Sequence, residues 1–361
     1  FLDGILMYVI YRLLKNLKVS YGFRILGIVL VFTPYKYGQL DWNNMIFLSV
    51  GQYEFRIISA LFLFMMLSYR EGFKKKHWAE YGISQLFVFV TVLSTGNYFL
   101  ITILVPLLLY EVFNILREEK LDLRNRDLVL VICSVVTALC AYGIRVVMHI
   151  STRRSNMNII KETEFSENLL NCFTGIISLF GGLVYNDTPV LSIVGVAFLT
   201  RFLFACIVLL IAITSFIQRK EIKDNRQFLQ RFLIVVIINM LVFIYTNTQY
   251  GSLIFEVRYH IVWCVLMLMA DVMFLSAGWK YVGIWMQKAV VTCLVIGIVI
   301  INVSGFGFVW KITDINQPII QNILKAADEY DIQDIIVLDA VMARKTGAVD
   351  IDKNVQLSEI V

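Results

Sequence analysis

The sequence predicts an all-α polytopic membrane protein of about ten transmembrane helices, with a small C-terminal α/β appendage outside the membrane. Three observations carry that expectation. Apolar runs recur along the chain, the basic residues between them fall into alternate loops, and the composition is 59% hydrophobic and 16% charged with a mean hydropathy of +0.74. Soluble domains hold more charge and less apolar surface.

The apolar runs are Leu2 to Leu14, Gly22 to Thr33, Phe55 to Ser68, Tyr81 to Leu93, Tyr98 to Ile115, Leu128 to Ile150, Leu191 to Ile217, Phe232 to Tyr245, His260 to Ala277 and Ala289 to Phe308. Several meet the ~20-residue length of a spanning helix, and flanking interfacial residues extend the shorter ones. The loops at Arg12 to Lys18, Arg70 to Lys76, Arg117 to Arg126, Arg219 to Arg231 and Lys280 to Lys288 carry 18 of the 32 Lys and Arg. With ten spans these loops share one side, which is cytoplasmic by the positive-inside rule. The intervening loops hold only Lys36, Arg56, Arg153, Arg154, Lys161 and Arg258. The expected location is therefore the plasma membrane, with the C-terminal tail extracytoplasmic.

Residues 1–309 then form the transmembrane domain, including a large outer loop at 151–188. Within it, Leu169 to Tyr185 is long enough to span, but crossing there would move the basic Arg219 to Arg231 loop outside. Gly175, Gly181 and Gly182 suit a re-entrant or interfacial segment instead. In the second outer loop, Pro34 to Glu54, the apolar Met45 to Val50 suits an interfacial helix. Residues 310–361 form the tail, with a helical pattern from Pro318 to Tyr330 and a strand-like segment at Ile335 to Asp339. The chain opens on Phe1 and a short apolar run, so a preceding helix and first outer loop are expected upstream.

The net charge of +5 resides in loops facing anionic headgroups, which argues for a lipid bilayer as partner and against nucleic acid. The six cysteines stand singly, without a CxxC pair, and read as small core hydrophobes. Glu162, Glu164 and Glu167 suit a solvated face better than a metal site, and no metal site is assigned. No Gly-rich phosphate loop, HExxH or GxSxG is present.

Charged residues inside apolar helices are functional candidates by default. Arg145 lies near the outer end of its run and can snorkel. Arg201, in VAFLTRFLF, sits deeper and can bind an anionic group. Asp271 lies towards the cytoplasmic face and suits a structural pair with a basic neighbour. The densest constellation is Phe255 to Ile261, FEVRYHI, where Arg258 can grip a phosphate while Tyr259 and His260 donate hydrogen bonds or move protons. An aromatic-belt anchor with a snorkelling Arg fits the same residues. Asp41, beside Trp42, offers an outer-face carboxylate that can serve as a base or ligate a divalent metal ion, against a bland reading as a solvated loop acid.

In these features the chain resembles the GT-C superfamily of membrane glycosyltransferases, which includes protein mannosyltransferases and lipid A aminoarabinose transferases. The resemblance is architectural over most of the chain. It is sequence-like in FLDGILMYVIYRLLKNLKVSYGFRILGIVLVF, in YGSLIFEVRYHI at Tyr250 to Ile261, and in the last fifty residues. It implies transfer of a sugar from a polyprenyl-phosphate-linked donor to a cell-envelope acceptor at the outer face. The family's main catalytic acid lies in a first outer loop, which here would precede Phe1. By topology Asp41 matches a second family acid, and Arg258 matches the cation that meets the donor phosphate, with Tyr259, His260 and Arg201 alongside. The competing classes are a transporter or flippase of a lipid-linked or anionic substrate, and a non-catalytic membrane subunit.

Overall fold

A computed structural model describes residues 2–32, 36–37, 40–41, 52–69, 77–117, 126–149, 158–159, 165–166, 169, 225–248, 251–252 and 257–299. By internal contacts the chain divides into Phe1–Ile301 and Asn302–Val361, and the described residues all belong to the first unit. The expected appendage at 310–361, the re-entrant segment at Leu169 to Tyr185 apart from Leu169 itself, the interfacial Met45 to Val50 and the run Leu191 to Ile217 lie outside them.

The described residues are nearly all helical. The helices are α1 (Leu2–Asn16), α2 (Tyr21–Val31), α3 (Gln52–Leu67), α4 (His77–Thr95), α5 (Val105–Arg117), α6 (Arg126–Val147), α7 (Arg226–Tyr245), α8 (Val257–Gly278) and α9 (Ile284–Val299). Two stretches, Arg126–Val147 and Ile261–Tyr281, are each long and apolar enough to cross a membrane; α2, Leu100–Leu116 and α9 are apolar but shorter. Strands are minimal. β1 (Lys36–Tyr37) pairs antiparallel with β2 (Leu40–Asp41), and β3 (Asn158–Ile159), β4 (Thr246–Thr248) and β5 (Gly251–Ser252) form one antiparallel ladder.

Helices adjacent in the chain run in opposite directions, except that α6 and α7, separated by residues 148–225, run the same way, so the termini gather at two ends. At one end Asn16 Nδ2 donates to the Met65 carbonyl and to Ser68 Oγ, the Ser20 N–H donates to Ser276 Oγ, and Asn225 Nδ2 donates to the Leu17 carbonyl. These bonds join the ends of α1, α3 and α8 to the starts of α2 and α7. This is the end that carries Arg12, Lys15, Lys18, Arg126 and Arg231. At the opposite end Thr91 Oγ1 donates to the Phe55 carbonyl, joining the end of α4 to the start of α3. The β3–β4 pairing likewise joins the segment after α6 to the end of α7.

The core is contributed mainly by α1, α3 and α8, where Leu6, Ile10, Leu13, Ile57, Leu61, Met65, Val265 and Met269 are all sealed from solvent. Packing is close enough that a Cβ at Gly27 of α2 would come to 2.5 Å from Leu14 Cδ1, which explains a glycine there. Polar residues also lie inside. Gln85 of α4 donates to Ser134 Oγ and accepts from Thr137 Oγ1, clamping α4 to α6.

Apolar side chains point outward in helical stripes: Tyr21, Ile25 and Val29 on α2; Leu109, Val112, Phe113 and Leu116 on α5; Val129, Ile132, Val136 and Leu139 on α6; Leu233, Ile237 and Leu241 on α7. Cys140 and Cys293 are exposed and Cys133 is half-buried, which corrects the expectation of a core position for these three; Cys172 and Cys206 lie outside the described residues. The apolar runs predict where the helices lie but leave undecided which face of each is covered.

The continuous run from Tyr98 to Ile115 is broken in the structure. Leu100–Leu104 is a π-helical turn leading into α5. Pro106 has no N–H to return to the Thr102 carbonyl four residues back, so a normal α-turn would leave that carbonyl without a partner. Asn239 of α7, 2% exposed, supplies the missing donor: its Nδ2 lies 2.6 Å from the Thr102 carbonyl and 2.6 Å from its own Val235 carbonyl.

Candidate functional site

Two polar constellations occupy the two ends of the helical unit. At the basic end, Arg231 in the second turn of α7 is buried beneath α3, α5 and α6. Its Nε donates to Glu111 at 2.7 Å, its Nη2 to Asp127 at 2.7 Å, and its Nη1 to the Leu67 carbonyl at 3.0 Å. Arg126 contacts the same Asp127 at 2.6 Å, and the Tyr110 ring lies 5.6 Å from the Arg231 guanidinium. Each of the three guanidinium nitrogens meets an acceptor, as a buried ion pair requires.

A second group at this end centres on Glu80 in the first turn of α4. It accepts from Tyr8 and Tyr69 at 2.6 Å each and from Arg12 at 3.0 Å. Burial opposes ionisation, but the tyrosine hydrogen bonds and the Arg12 charge hold the Glu80 carboxyl below its usual range. Tyr69, which follows α3, is pushed up to about 12 by burial and by donating to that carboxylate. His77 stacks on the Tyr69 ring at 4.2 Å. The Glu80 carboxylate is met by three donors and the group reads as structural, although Arg12 Nε is buried without a partner among the described residues.

The opposite end differs. Asp3 lies in the first turn of α1, and Tyr53, Glu54 and Arg56 lie in the first turns of α3. Arg56 is buried with its guanidinium 5.1 Å from the Tyr53 ring and 4.8 Å from the Tyr98 ring. The two aromatic faces stabilise the cation. Glu54 precedes the apolar run of its helix and is 5% exposed, and its Oε1 has no hydrogen-bond partner. Burial, then the charge and hydrogen bond of Asp3, push the Glu54 carboxyl up to about 7. A carboxyl at that value exchanges protons readily near neutrality.

Arg145 lies at this end too, in the last turn of α6. It is buried and turned inward, where the sequence leads one to expect snorkelling. Its Nη1 donates to the Leu93 carbonyl near the end of α4, because that carbonyl has lost its helical partner where the chain turns at Gly96 with φ of 71°.

The site residues expected from sequence are placed as follows. Asp41 is in β2, opposite Lys36 of β1. Arg258, Tyr259 and His260 occupy the first turn of α8, which begins five residues after the last residue of β5. Arg201 lies outside the described residues. The β3–β4–β5 ladder brings the segment around Asn158 beside the strands leading to α8, but no described contact joins Asp41 to the α8 start. Asp271 of α8 has no ion pair among the described residues, so the basic neighbour expected for it is not found there.

Glu54, Arg56 and Asp3 were not singled out by sequence. The available signal was an acid and a base flanking the start of an apolar run, YEFRII, which reads equally as an interfacial boundary. Among the described residues no three His, Cys, Asp or Glu side chains gather as a metal site would need. No protein-family model, curated protein or solved structure matches the chain.

Proposed function

We propose that the chain is a polytopic membrane protein whose non-basic end faces outward and transfers a sugar from a polyprenyl-phosphate-linked donor to a cell-envelope acceptor. Support for the membrane comes from the inverted distribution of polarity. Asn239, Ser134 and the Arg231 ion pairs lie inside, while Leu, Val, Ile and Phe stripes face out. In water such stripes would be costly at ~25 cal/mol per Å²; in lipid they are solvated. Only 33% of the best-defined apolar window of α6 is buried, so it is unlike the core helix of a soluble domain. The alternating ends match the segregation of basic loops, and the non-basic end is then the extracytoplasmic one.

The observation that carries the transferase reading is the outward cluster of Asp3, Glu54, Arg56, Tyr53 and Tyr98. In the reaction, the acceptor hydroxyl oxygen bonds to the anomeric carbon as the bond from that carbon to the phosphate oxygen breaks. The bonding pair leaves with polyprenyl phosphate, and the hydroxyl proton passes to a carboxylate. Glu54, with its proton affinity near neutrality, is suited to take that proton; Asp41 is the second candidate. Arg56 and Arg258 are suited to stabilise charge on the departing phosphate.

Reconstituted protein given a polyprenyl-phosphate sugar and a hydroxyl acceptor should release polyprenyl phosphate. Glu54→Gln should reduce turnover by about 10² or more, and Arg258→Ala should weaken donor binding. Lipid-linked substrate moving between leaflets without release of polyprenyl phosphate would replace this reading with the flippase alternative.

A further inference from the structure

We propose that Arg145 is an anion-binding residue, taking a phosphate oxyanion in the recess between the end of α4 and the last turn of α6. The guanidinium is a permanent cation, the residue is 5% exposed, and it has no carboxylate partner among the described residues. Its one acceptor is the Leu93 carbonyl, met by Nη1. The Nη2 nitrogen is buried and meets no partner among the described residues.

The contrast with Arg231 is informative. That cation is equally buried and meets two carboxylates and a carbonyl. A buried charge left uncompensated is costly, and among the described residues Arg231 meets two carboxylates while Arg145 meets none.

Capping of α4 is the competing explanation for Arg145. A helix C-terminus offers roughly half an elementary charge, and Leu93 occupies one of the five guanidinium N–H groups. Capping therefore accounts for the position of Nη1 and for neither the remaining charge nor the idle Nη2. The Gly96 backbone packs against the guanidinium: a Cβ there would sit 3.6 Å from Arg145 Nε and 3.8 Å from Cζ. The planar guanidinium so lies against backbone on one side with its Nη2 edge unmet, the geometry that a phosphate accepts in a charge-assisted bond.

The oxyanion can come from a phosphodiester headgroup, since α6 presents its apolar stripe to the surroundings, or from free phosphate. The inference rests on which residues surround Arg145 and is independent of sugar transfer, so it survives a protein with no transferase activity.

The test is thermal unfolding of the full chain in detergent with added dioleoyl phosphatidylglycerol, dioleoyl phosphatidylcholine or inorganic phosphate. Phosphatidylglycerol should raise the melting temperature of the wild type, and phosphatidylcholine at equal concentration should not. Arg145→Gln, which keeps a donor for Leu93, should lose the shift while matching or exceeding the wild-type melting temperature without lipid, because the uncompensated charge is gone. Arg145→Lys should keep the shift with about tenfold weaker half-saturation, having lost the planar fork. A full shift with inorganic phosphate alone would support the anion site and assign it to a free anion. An equal lipid response in wild type and Arg145→Gln would overturn the proposal, as would an unchanged half-saturation in Arg145→Lys if the glutamine variant does not fold.

Discussion

Removing Arg231 should be among the most damaging single changes in this chain. Replacement by Met keeps length and apolar stem but deletes the group that joins α7 to three other helices. Glu111, 1% exposed, would lose its donor among the described residues, at 2.7 Å, whereas Asp127 keeps Arg126 at 2.6 Å. The Leu67 carbonyl would lose its donor at 3.0 Å. Breaking a buried ion pair from one side costs about 3–5 kcal/mol, because the surviving charge stays uncompensated. An apolar replacement of both partners removes that penalty, so Arg231→Met/Glu111→Met should recover at least about 2 kcal/mol of the loss. Reversible unfolding in mixed micelles on titration with a denaturing detergent measures both variants. A loss below about 1 kcal/mol for the single variant, or a double variant no more stable than the single, would refute the claim that this triad is buried and mutually satisfied.

Three further outcomes are expected. Asn239→Leu should cost about 1–3 kcal/mol by orphaning the Thr102 carbonyl. In a Pro106→Ala background, where a backbone N–H can return to that carbonyl, the same change should cost less; equal costs would contradict the pairing. Glu54 has a folded value near 7 against an ordinary 4.5, so the folded state binds its proton more tightly between those values. Stability should therefore fall as pH rises from 4.5 through 7, and Glu54→Gln should flatten that part of the melting profile; an identical profile would show that Glu54 is ordinarily ionised. Asp41→Asn in an active preparation should lower turnover by about 10² if Asp41 rather than Glu54 takes the acceptor proton, with the Glu54→Gln rate as comparator.

Much of the helical framework was legible in the sequence because apolar runs bounded by basic clusters specify helices and their alternation. Nine of the ten runs coincide at least in part with described helices, and the hydrogen bonds of Asn16, Asn225 and Arg231 gather the termini that the charge pattern puts on one side. What hydropathy could not reveal was the interior chemistry. The π-turn arises from a single proline whose consequence depends on Asn239, more than a hundred residues away in sequence. Arg145 and Arg231 look alike as lone cations near the ends of apolar runs. Only packing distinguishes the one with two carboxylates from the one with none. Asp41 and Arg258 stood out as charges in aromatic surroundings, yet the described side chains bring together Asp3, Glu54 and Arg56 instead, because the first turns of α1 and α3 lie side by side.

The central claim is that the end carrying Asp3, Glu54, Arg56 and Arg145 faces outward across a membrane from the basic end. Cysteine substitution in a cysteine-free background, probed with an impermeant maleimide on intact cells, tests it most directly. Lys161→Cys, close to β3, should be labelled at once, and Lys75→Cys, between α3 and α4, should react only after permeabilisation. Labelling of Lys75→Cys with protection of Lys161→Cys would reverse the orientation, and equal labelling of both would contradict the membrane reading itself.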